Sequence, residues 1–586
     1  MARPPTSKPV VQTIGTCTNI GHISLSRARE SRLSPSGYQL KYEAYLSGET
    51  TRAPSFVGSE DEKRDLEPGS MADGVEYPTG WTFAFIIVAL ILSIFLVSLD
   101  MTIVATAIPR ITDEFRGLED VAWYGSAFFM TVGGFQSTWG KVFKYFPLKI
   151  GFLVAICVFE LGSLICGVAP NSTTLIAGRA IAGVGAAGIG SGAYTIVAFA
   201  AEPRKRPVFT GIIGTSYGVA AVVGPILGGA FTDRVTWRWC FYINLPIGGF
   251  SAFIIAFFFH APKGAKPKEA TLKEKILQMD LLGTALVMGG VIAYILALQY
   301  GGQTMDWHDP TVICLLIGFV AIFAAFAAWE YYNGERAMIV PRLFCTPGVW
   351  VGSVYLFLYA GSYFITIYYL PIYFQSIGDS SPTESGVQNL PLILSVTVAT
   401  IVAGATASTT RIAASIAVVS AVVATVASGL LYTLDVQIQT WKWVGYQILG
   451  GIAWGASFQM PIIIGQATAK PEDLSSVTAI ILFFQTVGGA FWVSAAQSAF
   501  VNSLMSRLAT SAPDVNPLLL LGTGATQIRT VFPAEQVPGI LVAYMAGIKT
   551  ALAIATGACG LAFVASLFNN FRRLRHSMVK ATGGVA

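Results

Sequence analysis

From Trp81 onward the chain alternates long apolar runs with short polar connections. A helix needs about 20 consecutive apolar residues to cross a hydrocarbon core. Runs of that length recur near 81–106, 122–140, 148–168, 173–199, 208–230, 239–260, 281–300, 312–330, 348–374, 386–408, 412–433, 443–466, 476–501 and 540–568. The pattern predicts fourteen transmembrane helices, an even count, and so an all-α polytopic membrane protein. The closely spaced pair 148–168 and 173–199 is the easiest to miscount.

Composition agrees, with 54% hydrophobic residues, only 12% charged ones and a mean hydropathy of +0.62, far from soluble domains. Charge placement gives the orientation. If the first span runs outward, inner connections receive fifteen Lys and Arg, from Lys141, Lys144 and Lys149 through the five lysines between Lys263 and Lys275 to Lys470, and outer ones receive seven. The positive-inside rule then places both termini in the cytoplasm. Topology accounts for the net charge of +5, so no nucleic-acid partner is implied.

The first 75 or so residues are rich in Ser, Pro, Gly and mixed charge and read as a disordered cytoplasmic tail without a signal peptide. Within it "SEDEKRDLE" (Ser59–Glu67) reads as solvated coil, with a phosphorylated Ser59 as the regulatory alternative. Seven scattered cysteines argue against a disulfide framework or a zinc site. Asn171-Ser-Thr matches the glycosylation pattern in an outer loop too short to favour modification.

Enzymatic chemistry finds no support. "GGFQSTWGKV" (Gly133–Val142) has five residues between Gly134 and Gly140 where a phosphate-binding loop needs four, and Val142 stands where Ser or Thr would hold magnesium. Four dispersed histidines form no cluster, and neither a cofactor nor a metal is expected.

The polar residues inside the spans carry the functional signal, because a charge in hydrocarbon costs at least about 2.5 kcal/mol. Asp100 lies about 28 Å along the first helix from Trp81, at 1.5 Å per residue, in the outer part of that span. Glu160 sits mid-span in "LVAICVFELGSLICG", Arg179 lies near the start of the fourth span, and Lys549 lies in the last. Snorkelling to the headgroups is the competing reading for each. The fourth and fifth spans are also rich in glycine, which lets helix backbones approach closely, and Pro225 can kink the fifth.

At "LDMTIVATAIP", "GRAIAGVGAAG" and "GTSYGVAAVVGPILGGAF" followed by "WRWCFYINLPIG", the chain resembles the major facilitator superfamily in its fourteen-spanner drug:proton antiporter branch. "LKIGFLVAICVFELGSLICGVAPNS" and "YQILGGIAWGASFQMPIIIGQ" are similar to fungal toxin and multidrug efflux members, and the resemblance covers about residues 80–570. It implies a tail over 1–78, a six-helix bundle over 79–260, a linker with two extra spans over 261–346, a second six-helix bundle over 347–570 and a tail over 571–586. The implied activity is proton-coupled export of small, partly apolar organic compounds by alternating access. A proton-coupled importer of sugars or iron chelates is the alternative, since the fold is shared.

Carried over by position, Asp100, Arg179 and Glu160 are the proton-coupling candidates. Gly211, Gly224, Pro225, Gly228 and Gly229 match the fifth-span antiporter pattern, with Ala220 replacing one usual glycine. The cytoplasmic gate loop keeps Gly140 and Lys149 but has Lys144 where the superfamily usually carries aspartate, which puts a gate built on that aspartate in doubt. Gln136, Asn244, Gln388, Asn389, Gln459 and Gln485 are candidate substrate-cavity residues, as amides near aromatics suit a partly apolar ligand. The expected partners are the small organic substrate, protons and lipid. A monomer in the plasma membrane is expected, with the vacuolar membrane as the alternative location.

Overall fold

The computed structural model describes residues 77, 78, 80–115, 121–261, 265–436 and 438–569. The two predicted tails lie outside the described residues, apart from Tyr77 and Pro78. All long elements among the described residues are helices: α1 (Gly80–Phe115), α2 (Val121–Tyr145), α3 (Leu148–Gly167), α4 (Ser172–Ala200), α5 (Arg206–Arg234), α6 (Asn244–Phe258), α7 (Leu281–Tyr300), α8 (Pro310–Asn333), α9 (Pro347–Ser376), α10 (Leu390–Thr410), α11 (Ala413–Tyr432), α12 (Thr440–Ser457), α13 (Met460–Thr468), α14 (Leu474–Ser511) and α15 (Val537–Ser566). α12 and α13 are two pieces of one crossing, broken at Phe458–Gln459 just before Pro461.

Thirteen crossings are long and apolar enough to span a membrane. The remaining predicted span is α2, a 25-residue helix whose Thr131, Gln136, Ser137, Thr138 and Lys141 are buried against protein. Protein contacts replace lipid on those faces, so α2 does not need a uniformly apolar sequence. The predicted 386–408 span begins later, at Leu390, because Pro382–Gln388 forms a separate short helix.

α1 packs on α5 and α6, while α4 packs on α2 and α3. In the second half α9 packs on α14 and α15, α10 on α12, and α11 on α12 and α15. The halves meet along α2–α14 and α5–α10, and α7 lies against both α2 and α14. α4 is the most enclosed helix, and close approach explains its glycines: a Cβ on Gly188 would lie 2.6 Å from Ala155 Cβ on α3. α8 is the reverse, with Ile317 and Val320 each 63% exposed, as expected of a face turned to lipid. The Asn171 side chain caps α4, accepting from the Thr174 backbone N–H at 2.9 Å. Cys157, Cys166, Cys240, Cys314 and Cys559 are free.

Candidate functional site

Asp100 and Arg179 meet inside the first half. The Arg179 Nη1 donates to Asp100 Oδ2, and both residues are at most 1% exposed. Arg179 Nε also donates to the Tyr124 carbonyl at 2.8 Å, and its guanidinium lies 4.3 Å from the Phe128 ring centroid. On the other carboxylate oxygen, Asn244 Nδ2 lies 3.3 Å from Asp100 Oδ1 and also donates to Ser163 Oγ at 3.1 Å. Helices α1, α3, α4 and α6 therefore each supply one group, and α2 supplies two. Such convergence satisfies a buried ion pair that would otherwise be costly.

Glu160 occupies the same crevice one helical turn deeper. It precedes Ser163 by three residues on α3, and a Cβ on Gly248 of α6 would collide with its carboxylate and lie 3.2 Å from Leu96 Cδ1. Leu96 is one turn before Asp100, and Gly248 is one turn after Asn244. Both Glu160 carboxylate oxygens are enclosed and have no hydrogen-bond partner among the described residues. A carboxyl group there is far cheaper to bury neutral than ionised.

A second charged constellation joins the two halves. Lys144 Nζ lies 2.6 Å from Asp473 Oδ1, which immediately precedes α14, and these side chains are 7% and 2% exposed. Arg342 also donates to Asp473, through Nη1 at 3.0 Å. Beside them Gly140 lets α2 touch α14, for a Cβ there would meet Ala479 Cβ and lie 3.1 Å from the Ser475 carbonyl oxygen. Across the same end Ser408 Oγ, on α10, donates to the Arg204 carbonyl. Lys144, expected to weaken a gate built on aspartate, thus makes an ion pair of its own, with the carboxylate supplied by the second half. Lys149 has no ion-pair partner among the described residues.

The sequence profile of the Major Facilitator Superfamily matches residues 90–493. The chain belongs to the major facilitator superfamily. It is similar to the MFS-type transporter grgE of a Penicillium species (54% identical over 526 residues, 90% of this chain and 92% of that protein). It is also similar to the probable efflux pump gsfJ of Penicillium aethiopicum (53% identical, 87% and 92% covered) and to the MFS-type efflux pump MFS1 of Trichophyton rubrum (41% identical, 90% and 97% covered). Among solved structures, the human organic anion transporter MFSD10 superposes with a TM-score of 0.52 at 12% identity, covering 83% of this chain and 99% of that one, which supports the fold alone. This superfamily member is accordingly a multi-pass membrane transporter and not an enzyme.

Within this superfamily chain the fifth-span glycines divide by neighbour. A Cβ on Gly211 would lie 2.8 Å from the Thr400 carbonyl oxygen of α10, across the halves, and one on Gly224 would lie 2.9 Å from Thr102 Cβ of α1. Gly228 is buried, Pro225 lies within the helix, and Gly229 differs: nothing lies within 4 Å of a Cβ placed there. Close packing therefore does not account for Gly229.

The candidate amides divide as well. Gln136 Nε2 donates to Ser191 Oγ at 3.0 Å and joins α2 to α4, and Asn244 is part of the Asp100 network, so both bind helix to helix. Gln388 accepts from Ser380 Oγ at 3.1 Å. Asn389, Gln459 and Gln485 each keep an amide oxygen without a partner among the described residues. Gln459 sits at the α12–α13 break and donates to Tyr194 Oη of α4 at 3.2 Å, linking the halves. Sequence reading missed Ser163, Tyr194, Arg342 and Asp473. The only signal for Asp473 was its place just before an apolar run, which reads as a helix cap.

Proposed function

We propose that this transporter is a proton-coupled antiporter that exports small, partly apolar organic compounds by alternating access. The observation that carries the reading is the buried Asp100–Arg179 pair with the unpartnered Glu160 carboxyl one turn away. Protonation of Asp100 neutralises it and weakens its hold on Arg179, which keeps the Tyr124 carbonyl and the Phe128 face as partners. Glu160 takes or supplies the proton within the same crevice. The Lys144–Asp473 end is the cytoplasmic gate, closed while that pair is made, and both termini lie on that side. The two six-helix bundles rock about the α2–α14 and α5–α10 contacts, and the monomer works in the plasma membrane. The amide oxygens of Asn389, Gln459 and Gln485 accept hydrogen bonds from the substrate. The efflux-pump names of relatives favour the outward direction.

The test is expression in a host stripped of its own pumps, grown on a panel of toxic organic compounds. Tolerance with lower intracellular accumulation of at least one compound is expected. Higher accumulation would favour the importer reading, and an unchanged response across the panel would remove the export assignment.

A further inference from the structure

The segments that flank the two linking spans, α7 and α8, reach the gate too. Lys141 of α2 donates to Gln278 Oε1 at 3.3 Å and to the Glu335 carbonyl at 2.8 Å. The Lys144 carbonyl accepts from the Lys268 backbone N–H at 2.9 Å. On the opposite side of the contact, Arg342 donates through Nη1 and Nη2 to Asp473 at 3.0 and 3.3 Å, and through Nε and Nη2 to Glu335 at 2.7 and 3.3 Å. The segment 334–342 thus holds α2 through one end and the start of α14 through the other.

That segment is itself firmly seated. The Met338 N–H donates to Asp280 Oδ2 at 2.8 Å and to Glu330 Oε1 at 3.2 Å, and the Ile339 N–H donates to Glu330 Oε2 at 2.6 Å. Trp329 Nε1 donates to Asp280 Oδ1 at 2.7 Å, and Met338 packs with Val287, Phe326 and Phe483. Phe344 stacks on Phe484 of α14 with centroids 5.5 Å apart. A passive tether needs only reach. It needs neither buried acids clasping its backbone nor a guanidinium bridging two carboxylates.

We infer that residues 334–342 are a bracket on the cytoplasmic gate, with Arg342 and Glu335 as positioning residues that hold Asp473 where Lys144 can pair with it. The linking spans thereby set how often the gate opens. This rests on reading the Lys144–Asp473 contact as the gate. Arg342 matters because its planar fork serves Glu335 and Asp473 together, which a lysine cannot reproduce.

Ser476, 3% exposed and with its Cα 3.4 Å from the Gly140 Cβ position, reports opening. In purified full-length protein without native cysteines, Ser476→Cys is labelled with a maleimide, with the fully buried Ser428 of α11, substituted to Cys, as the remote control. Arg342→Gln is expected to speed labelling at 476 by about three- to tenfold, Arg342→Lys to give an intermediate rate, and the thermal unfolding midpoint and labelling at 428 to stay unchanged. Lys144→Gln should speed labelling at 476 further. If Lys144→Gln speeds it and Arg342→Gln does not, the bracket is wrong while the gate stands. If neither does, gate and bracket fall together, and equal acceleration at 428 would mean general loosening and overturn the bracket.

Discussion

Lys144 and Asp473 are separated by 329 positions, yet the ammonium of one lies 2.6 Å from the carboxylate of the other across the two halves of the transporter. The pair stands where the superfamily resemblance led one to expect an aspartate in the loop after the second span. Here the cation stands in the last turn of α2 and the anion just before α14.

Reversing Lys144 alone should therefore break the contact. Lys144→Asp would set two carboxylates against each other in a nearly buried site, and removing one partner of such a pair costs about 3–5 kcal/mol. The closed state should become scarce, measured as rapid labelling at position 476. Adding Asp473→Lys should restore closure only in part, because Arg342 would then face a lysine. Slow labelling in the single Lys144→Asp variant would show that the pair does not hold the ends together.

The fifth-span glycines give a paired contrast on one helix. Gly224→Val would drive a branched side chain into Thr102, whose Oγ1 also donates to the Ala220 carbonyl at 3.2 Å, costing about 1–3 kcal/mol of packing. Gly229→Ala meets open space and should gain up to about 1 kcal/mol of helix propensity. Thermal unfolding midpoints should fall for the first and hold or rise for the second. The opposite order would mean that α5 is packed differently against α1.

At the other end of the first half, Arg238 and the Trp237 indole N–H hydrogen-bond Glu114 and hold its carboxyl below the ordinary carboxylate range. A depressed value in the folded state stabilises the protein above the unfolded carboxylate range. That contribution disappears as pH falls through the depressed value. The pair is partly exposed, so the effect is small. Glu114→Gln should lower the unfolding midpoint at neutral pH and converge with the unmutated protein in acid. A gap between the two that persists or widens in acid would refute the linkage.

The membrane spans were legible because burial in lipid leaves long apolar runs, and Asp100 and Arg179 were legible because a charge within such a run needs a partner. Asn244 was read as a substrate amide, for nothing local in "YINLPIG" reveals that α6 brings it to Asp100. Asp473 was not legible as the partner of Lys144, since pairing across the halves leaves no periodic trace in either segment. The α12–α13 break was similarly hidden, although Pro461 marks where the helix restarts. Gly229 shows the converse error, in which a motif position suggested tight packing and the neighbours are absent.

In the proposed mechanism Asp100 exchanges a proton with each export cycle. Asp100→Asn keeps the shape but leaves Arg179 without its counter-ion, so the readout must separate coupling from folding. Protein reconstituted into vesicles, with a compound to which the gene confers tolerance, supplies it: pH-gradient-driven accumulation is measured beside substrate exchange without a gradient. Asp100→Asn is expected to retain exchange and lose gradient-driven accumulation. Full gradient-driven accumulation by the Asn variant would contradict it.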